Sequence, residues 1–306
     1  MKAVRKAFTE RLLELAREDA RIYALATDSR GSVTLNDFAR ELPGQFVECG
    51  IAEQDAVGIG AGLARVGLIP FVCGPASFYA ARAAEQIKVD VAYSHTNVKV
   101  IGVSGGVSYG ALGGTHHAVQ DIALMRAIPN LQVFLPADAN QMRKLTEALA
   151  RSPEPAYVRM GRGAVEDVYP EDAPFEIGKA NILRNGGDLA IIACGEMVYP
   201  ALAAADLLEE KGVRARVIDM HTIKPLDAAA IVDAARTGAI LTVEEHSIHG
   251  GLGAAAAEVA AQRCPCRMRI LGLPDETLYS GTSREVFEHY GLTAQGIAEA
   301  AEELIR

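Results

Sequence analysis

Gln45-Phe-Val-Glu48, then Glu53-Gln-Asp-Ala-Val-Gly-Ile-Gly-Ala-Gly-Leu-Ala-Arg65, then Ile69-Pro-Phe-Val-Cys73 follow one another with only short connections between them. A short apolar run, a small-residue stretch of helical length and a second apolar run read as strand, helix, strand. The strands are continuously apolar rather than alternating, which implies a parallel sheet covered on both faces. The same alternation extends outward. Ile22–Thr27, Val98–Val103, Gln132–Leu135 and Ala156–Met160 read as further strands, with helices near Ser77–Ser94, Ala118–Ala127 and Asn140–Ala150. The pattern breaks at Glu166-Asp-Val-Tyr-Pro-Glu-Asp-Ala-Pro174, whose acids and prolines have no periodicity and read as an exposed linker. A second series follows, with strands at Leu189–Cys194, Arg214–Asp219, Ala239–Glu244 and Arg267–Gly272. Its helices lie near Tyr199–Lys211, Asp227–Arg236 and Leu252–Gln262, with two more at the end. The expected fold class is α/β with two doubly wound domains, residues 1–165 and a smaller 179–306, joined by a linker over 166–178.

At 306 residues the chain suits two cores of ordinary size. Its longest apolar runs, such as Leu189–Cys194, fall far short of the roughly 20 residues of a membrane span. Met1-Lys-Ala-Val-Arg-Lys reads as the start of an amphipathic helix with Val4, Phe8, Leu12, Leu13 and Ala16 on one side. No secretory signal is visible, so a cytoplasmic location is expected. The net charge of −9 argues against nucleic acid or an anionic membrane as a partner. Five cysteines, Cys49, Cys73, Cys194, Cys264 and Cys266, lack metal-ligand spacing and are expected to be reduced and structural.

Glu53 opens its helix, where any acid is favoured by the macrodipole. Gly58, Gly60 and Gly62 in the same helix each cost about 1 kcal/mol relative to Ala, which points to a close approach by another backbone or a flat ligand. A second cluster is Gly102-Val-Ser-Gly-Gly-Val-Ser-Tyr-Gly-Ala-Leu-Gly-Gly-Thr-His116-His117, a glycine-rich loop leaving a strand where open α/β sheets bind ligands. The adjacent histidines lack the spacing of a metal pair. Phe78 and Tyr79 stand at a strand-to-helix junction, where two aromatics read as core more often than as a cofactor platform. Arg82, on the same helix, suits an anion or a solvated ion pair. Arg162, flanked by glycines at a strand end, suits a phosphate or a linker charge. Glu244-Glu-His-Ser-Ile-His-Gly-Gly-Leu-Gly253 lacks the Gly-Lys-Ser/Thr of a P-loop and reads as structural, and Asp227 reads as a helix cap.

Together these motifs resemble, in order and spacing, the C-terminal two-thirds of transketolase and of 1-deoxyxylulose-5-phosphate synthase, and above all the separately encoded C-terminal subunits of split transketolases. Gly50–Gln54 and Gly113–His117 carry most of the resemblance. It implies thiamine diphosphate as cofactor. Glu53 would hydrogen-bond the aminopyrimidine ring nitrogen so that thiazolium carbon 2 can lose its proton. Phe78, with Tyr79, would pack on that ring, and Asp28 would stand near it. His116, with His117 and Arg82, would meet the substrate, and Arg162 would hold the phosphate of a sugar phosphate. The second domain would serve dimerisation.

Two departures stand out. Leu112 replaces the family's Asp and His117 its Gln, which bears on substrate identity. The family's Gly-Asp-Gly…Asn motif for Mg²⁺ and diphosphate is missing, since Gly187-Asp188-Leu189 has no Asn after it. The resemblance therefore implies a partner, an N-terminal thiamine-diphosphate-binding subunit, in a dimer or heterotetramer. The implied reaction is transfer of a two-carbon ketol unit from a ketose phosphate to an aldose. The alternatives are a synthase half, a 2-oxo acid dehydrogenase beta subunit, or a non-catalytic subunit that keeps the fold.

Overall fold

Six strands of the N-terminal half pair in parallel in the computed structural model, which describes residues 1–306. From one edge they run Phe46–Glu48, Ile22–Ala26, Ile69–Pro75, Lys99–Val103, Ala156–Met160 and Gln132–Phe134. The central strands Ile69–Pro75 and Lys99–Val103 are buried from end to end, as their continuous apolar sequence requires. Lys99 is the exception among them in polarity. Its Nζ is satisfied by Asn97 Oδ1 (2.6 Å), the Ser152 carbonyl (2.9 Å) and the Glu154 carbonyl.

Chain order along this sheet reverses between Ile22–Ala26 and Ile69–Pro75. Successive connections leave these two strands in opposite directions, and this opens a crevice at their C-terminal ends. The second sheet repeats the plan with Ala215–Asp219, Leu189–Ala193, Ala239–Ser247 and Arg267–Leu273 in parallel. An antiparallel edge strand, Asn181–Arg184, joins it.

The N-terminal helix Val4–Glu18 buries Val4, Phe8, Leu12, Leu13 and Ala16, the face read from its sequence. Asp227 caps its helix by accepting from Ala230 N at 3.0 Å. All five cysteines are free thiols. No helix is long and apolar enough to cross a membrane.

Three elements depart from the sequence expectation. The helix expected over Ser77–Ser94 is broken into Ala76–Arg82, Ala84–Gln86 and a wide π-type turn, Ile87–Tyr93, and nothing in the local sequence marks the change. The helix expected from Ala118 begins at Asp121, because Ala118 is held in an antiparallel bridge with Gly106 (2.8 and 3.0 Å). Thr222–Lys224, read as part of a strand-to-helix connection, crosses to the first sheet and pairs antiparallel with Gln132–Phe134. The stretch after residue 165 is also tied down. Asp138, the cap of helix Ala139–Arg151, accepts from both Val168 N and Tyr169 N at 2.7 Å.

The three helix glycines separate into two kinds. A Cβ on Gly60 would come within 2.7 Å of Val72 Cγ2, so this glycine lets the helix lie on the sheet. Gly58 and Gly62 would meet nothing within 4 Å. In the isolated chain, Gly60→Ala is expected to cost about 1–2 kcal/mol because Val72 is fully packed. Gly58→Ala and Gly62→Ala should each stabilise by about 0.5–1 kcal/mol. Urea unfolding midpoints of the three variants check this, and equal effects at all three positions would refute the distinction.

Candidate active site

The crevice at the strand-order reversal is a cleft of about 220 Å³. Thr27 and Asp28 reach it from the end of Ile22–Ala26, Pro75 and Phe78 from the end of Ile69–Pro75, and Glu53 from the first turn of helix Glu53–Arg65. Tyr109 and His116 enter from the glycine-rich loop. Glu48 ties two of the rims together, accepting from Asp28 N at 2.7 Å and Gly50 N at 3.4 Å through one oxygen. Asp28 holds a left-handed backbone (φ 54°), an uncommon conformation for a non-glycine residue, and it stands at the mouth of the cleft.

Glu53 is only 5% exposed, and its one side-chain partner is Arg82, whose Nη1 lies 3.3 and 3.4 Å from the two carboxylate oxygens. Arg82 is half exposed and lies over the Phe78 ring, 4.2 Å from its centroid. A buried carboxylate beside an aromatic face, closed on the solvent side by one movable cation, leaves room for a flat, hydrogen-bonding heterocycle. The residues present therefore fit an aminopyrimidine ring.

His116 stands edge-on between Phe78 (5.4 Å between centroids) and Tyr109 (5.5 Å), with Nδ1 2.9 Å from Thr115 Oγ1. Arg162 lies over the Tyr109 ring at 4.6 Å and donates to its hydroxyl. Burial pushes the Tyr109 phenol up, but hydrogen bonding with Ser32 and Ser104 and the Arg162 charge together bring it below its ordinary pKa.

Next to this cleft lies a hollow of about 470 Å³ that contains Arg5, Arg162, Ser108 and Ser283. Arg5 donates from Nε to the Arg162 carbonyl (3.1 Å) and also to the Ser32 carbonyl. Burial, and then the like charge of Arg162, lower the Arg5 pKa. Two guanidiniums held this close make a place where an anion relieves repulsion.

Glu53, Phe78, Asp28 and His116 thus share one cleft, and Arg162 reaches it through Tyr109. Two residues expected on ligands lie elsewhere. Tyr79 is fully buried, its ring pressed against Gly74, where a Cβ would overlap it. His117 turns inward and places Nε2 3.1 Å from the Gly110 carbonyl, holding the loop instead of facing the cleft. Arg82, expected on a substrate anion, is engaged with Glu53. Asp188, in the nearest match to a diphosphate motif, accepts from Arg214 N at 2.7 Å in a turn of the second half. Sequence reasoning missed Arg5, Ser32 and Tyr109. Arg5 looks like any solvated charge on an amphipathic helix, and only the fold brings it to Arg162.

Matches to known families run the length of the chain. Residues 1–167 match the transketolase pyrimidine binding domain and residues 178–297 the transketolase C-terminal domain. The chain belongs to the transketolase family. It is 59% identical over 100% of its length, and 98% of the other, to one of the subunits of the apulose-4-phosphate transketolase of Phocaeicola vulgatus. It is 38% identical to the 6-deoxy-6-sulfo-D-fructose transketolase subunit SqwH of Clostridium sp. strain MSTE9, covering 98% of this chain and 94% of the other. A solved structure described as a split gene transketolase in an inactive beta4 tetramer superposes with a TM-score of 0.91. It is 40% identical, with 100% of this chain and 99% of the other covered.

Behind the hollow, three carboxylates converge on one cation. Arg159 contacts Glu245 Oε2 at 3.1 Å and Asp121 Oδ2 at 3.7 Å, while Glu196 Oε1 is buried without a partner. Burial pushes the Glu196 and Glu245 carboxyls up, and Arg159 only partly offsets this. Both are raised, Glu196 to about 7 and Glu245 to about 8, and because Glu245 already accepts hydrogen bonds from Val107 N and Arg159 we assign the pair's proton to Glu196. Folding then takes up a proton between 4.5 and about 7, and stability falls as pH rises across the window. Thermal unfolding is expected to drop by several degrees between about pH 5 and about pH 8, and Glu196→Gln should flatten that slope. An unchanged slope in the variant would refute the assignment.

Proposed function

We propose that this chain is the pyrimidine-binding subunit of a two-component transketolase. It would transfer a two-carbon ketol unit from a ketose phosphate to an aldose, breaking the donor's C2–C3 bond and forming a new bond at the acceptor's carbonyl carbon. The observation that carries the proposal is the buried Glu53 carboxylate set against Phe78 and His116 in one cleft, with an arginine pair beside it. Bound thiamine diphosphate supplies the electron sink for carbon–carbon cleavage. Glu53 holds a proton at the pyrimidine ring nitrogen, displacing Arg82 to do so. Phe78 packs against the ring and keeps water from that face. His116 binds or relays protons to the sugar hydroxyls. Arg162 and Arg5 hold the sugar's phosphate.

The sequence lacks the family's Gly-Asp-Gly…Asn motif, and for that reason we assign Mg²⁺ and the diphosphate to an N-terminal partner subunit. Two observations support a partner. The structural relative, a tetramer of beta chains alone, is described as inactive. Helix Glu53–Arg65, whose first residue lines the cleft, also leaves Ile59 and Gly62 exposed, and a side chain at Gly58 or Gly62 would meet nothing within 4 Å. For the substrate we assign apulose 4-phosphate, which names the relative at 59% identity. The exposed Leu112 on the site loop suits a sugar other than those that call for an acid there.

Calorimetry with thiamine diphosphate and Mg²⁺ is expected to show binding to the mixed subunits and not to this chain alone, with turnover of apulose 4-phosphate exceeding that of xylulose 5-phosphate. Glu53→Gln should remove activity by about a thousandfold or more. Arg162→Ala and Arg5→Ala should raise KM roughly 10–100-fold with a smaller change in kcat. Tight cofactor binding to the lone chain would refute the split site, and full activity of Glu53→Gln would refute the catalytic role.

A further inference from the structure

The loop that carries Tyr109 and His116 belongs to the N-terminal half, yet its base is held by the C-terminal half. Both backbone groups of Val107 are taken there. Its N–H donates to Glu245 Oε1 at 2.6 Å, and its carbonyl accepts from Ser283 Oγ at 2.9 Å. Glu245 is 6% exposed and is locked in turn by Arg159, whose Nη2 donates to Oε2 at 3.1 Å and to the Glu245 carbonyl at 2.6 Å.

The glycines of the loop fit this pair. A Cβ on Gly106 would overlap the Glu245 carboxyl and Arg159 Nη2, and one on Gly105 would overlap Arg159 Nε. One on Gly110 would overlap the Gly281 carbonyl. Glycines at these places let the loop lie flat on the C-terminal half. Further along, Ser247 N donates to the Val119 carbonyl at 2.8 Å, so strand Ala239–Ser247 clamps the loop on both sides of His116.

We propose that Glu245 is a positioning residue for the active site. Its carboxylate fixes the Gly105–Val107 turn, and the turn sets where Tyr109 and His116 stand in the cleft. Because Tyr109 lies under Arg162, the same contact sets the register between the histidine and the phosphate-binding arginine. The C-terminal half thereby takes part in substrate engagement without touching substrate. The activity part of this inference rests on the transketolase reading, and the conformational part does not.

The test compares Glu245→Ala, Glu245→Gln and Ser283→Ala. Hydrogen exchange of the chain alone is expected to rise roughly tenfold or more over residues 104–118 in Glu245→Ala, while strand Lys99–Val103 stays protected. Glu245→Gln, which still accepts from Val107 N–H, should restore most of the protection. In the reconstituted enzyme with apulose 4-phosphate, Glu245→Ala should raise KM about tenfold with a smaller fall in kcat, and Gln should recover it. Ser283→Ala keeps the Arg159 pair intact and should show the same pattern in milder form, so it decides the matter if Glu245→Ala does not fold.

Unchanged exchange over 104–118 in a folded Glu245→Ala or in Ser283→Ala overturns the proposal. So does a loss that Gln fails to rescue and that tracks global stability alone. If the wild-type pair turns over no sugar phosphate, the transketolase reading fails, while the exchange result still decides whether Glu245 holds the loop.

Discussion

One guanidinium, buried where the two halves meet, governs the arrangement around it. Arg159 is 4% exposed, and a charge removed from water costs several kcal/mol unless it is paired and hydrogen-bonded. Its partners come from both halves. Asp121 opens a helix of the first half, and Glu245 lies on a strand of the second. Tyr157 completes the set by donating to Asp121 Oδ2 at 2.7 Å. Moving either half would leave Arg159 short of counter-charge and at least one acid short of a cation. The relative placement of the halves is therefore an electrostatic requirement in addition to an apolar one. The same node lies three residues before Arg162 and one hydrogen bond from Val107, so the constraint that joins the halves also shapes the cleft.

Parallel sheets place their loops at the C-terminal ends of the strands, and the reversal of strand order holds two of those loops apart. Glu53 is placed there by the start of its helix, where the backbone N–H groups favour negative charge. Its burial would be unfavourable for an acid with nothing to bind. Arg82 supplies a counter-ion from the solvent side, lying over Phe78, and it can leave without disturbing the core because half of it is exposed. On the proposed function this arrangement would keep the Glu53 charge compensated until a hydrogen-bonding ring displaced Arg82.

Much of this was legible in the sequence, because periodicity and apolar continuity are local properties. Ile69–Pro75 and Leu189–Ala193 are strands that nothing but a covered parallel sheet accommodates, and Val4, Phe8 and Leu12 give their helix away. Glu53 and Phe78 could be singled out because each sits near a helix start, and His116 because it closes a glycine-rich loop that leaves a strand. Thr222–Lys224 is too short to show a period, and its partner strand lies far back in the chain. Tyr79 and His117 differ from their neighbours Phe78 and His116 by one position, which is enough to turn a side chain from cleft to core. Glu245 sits in a run that reads as a strand end, and its purpose appears only when the fold brings Val107 and Arg159 to it. Glycine content misled in an instructive way. In the loop after Val103, Gly105, Gly106 and Gly110 answer to Arg159, Glu245 and Gly281, all protein, where a ligand would have been the natural guess.

The two sheets account for the chain's own folding, and what they leave bare is not scattered. Ile51, just before the helix whose first residue is Glu53, and Ile59, within it, are both exposed, and Gly58 and Gly62 add side-chain-free backbone on the same helix. Isolated apolar residues on a surface need no explanation, but a flat, partly apolar helix face at the rim of a ligand cleft is a surface fit to be covered. On the proposed function this face and the open end of the cleft would be closed by the same partner. Burying this face would then bring in the oxygen ligands for Mg²⁺ and diphosphate while excluding water from Glu53. Subunit docking and cofactor binding would be thermodynamically linked, each strengthening the other by the same factor. A cleft whose acid is closed on the solvent side only by the half-exposed Arg82 suits such linkage. The free energy of completing the site is then available to hold the subunits together.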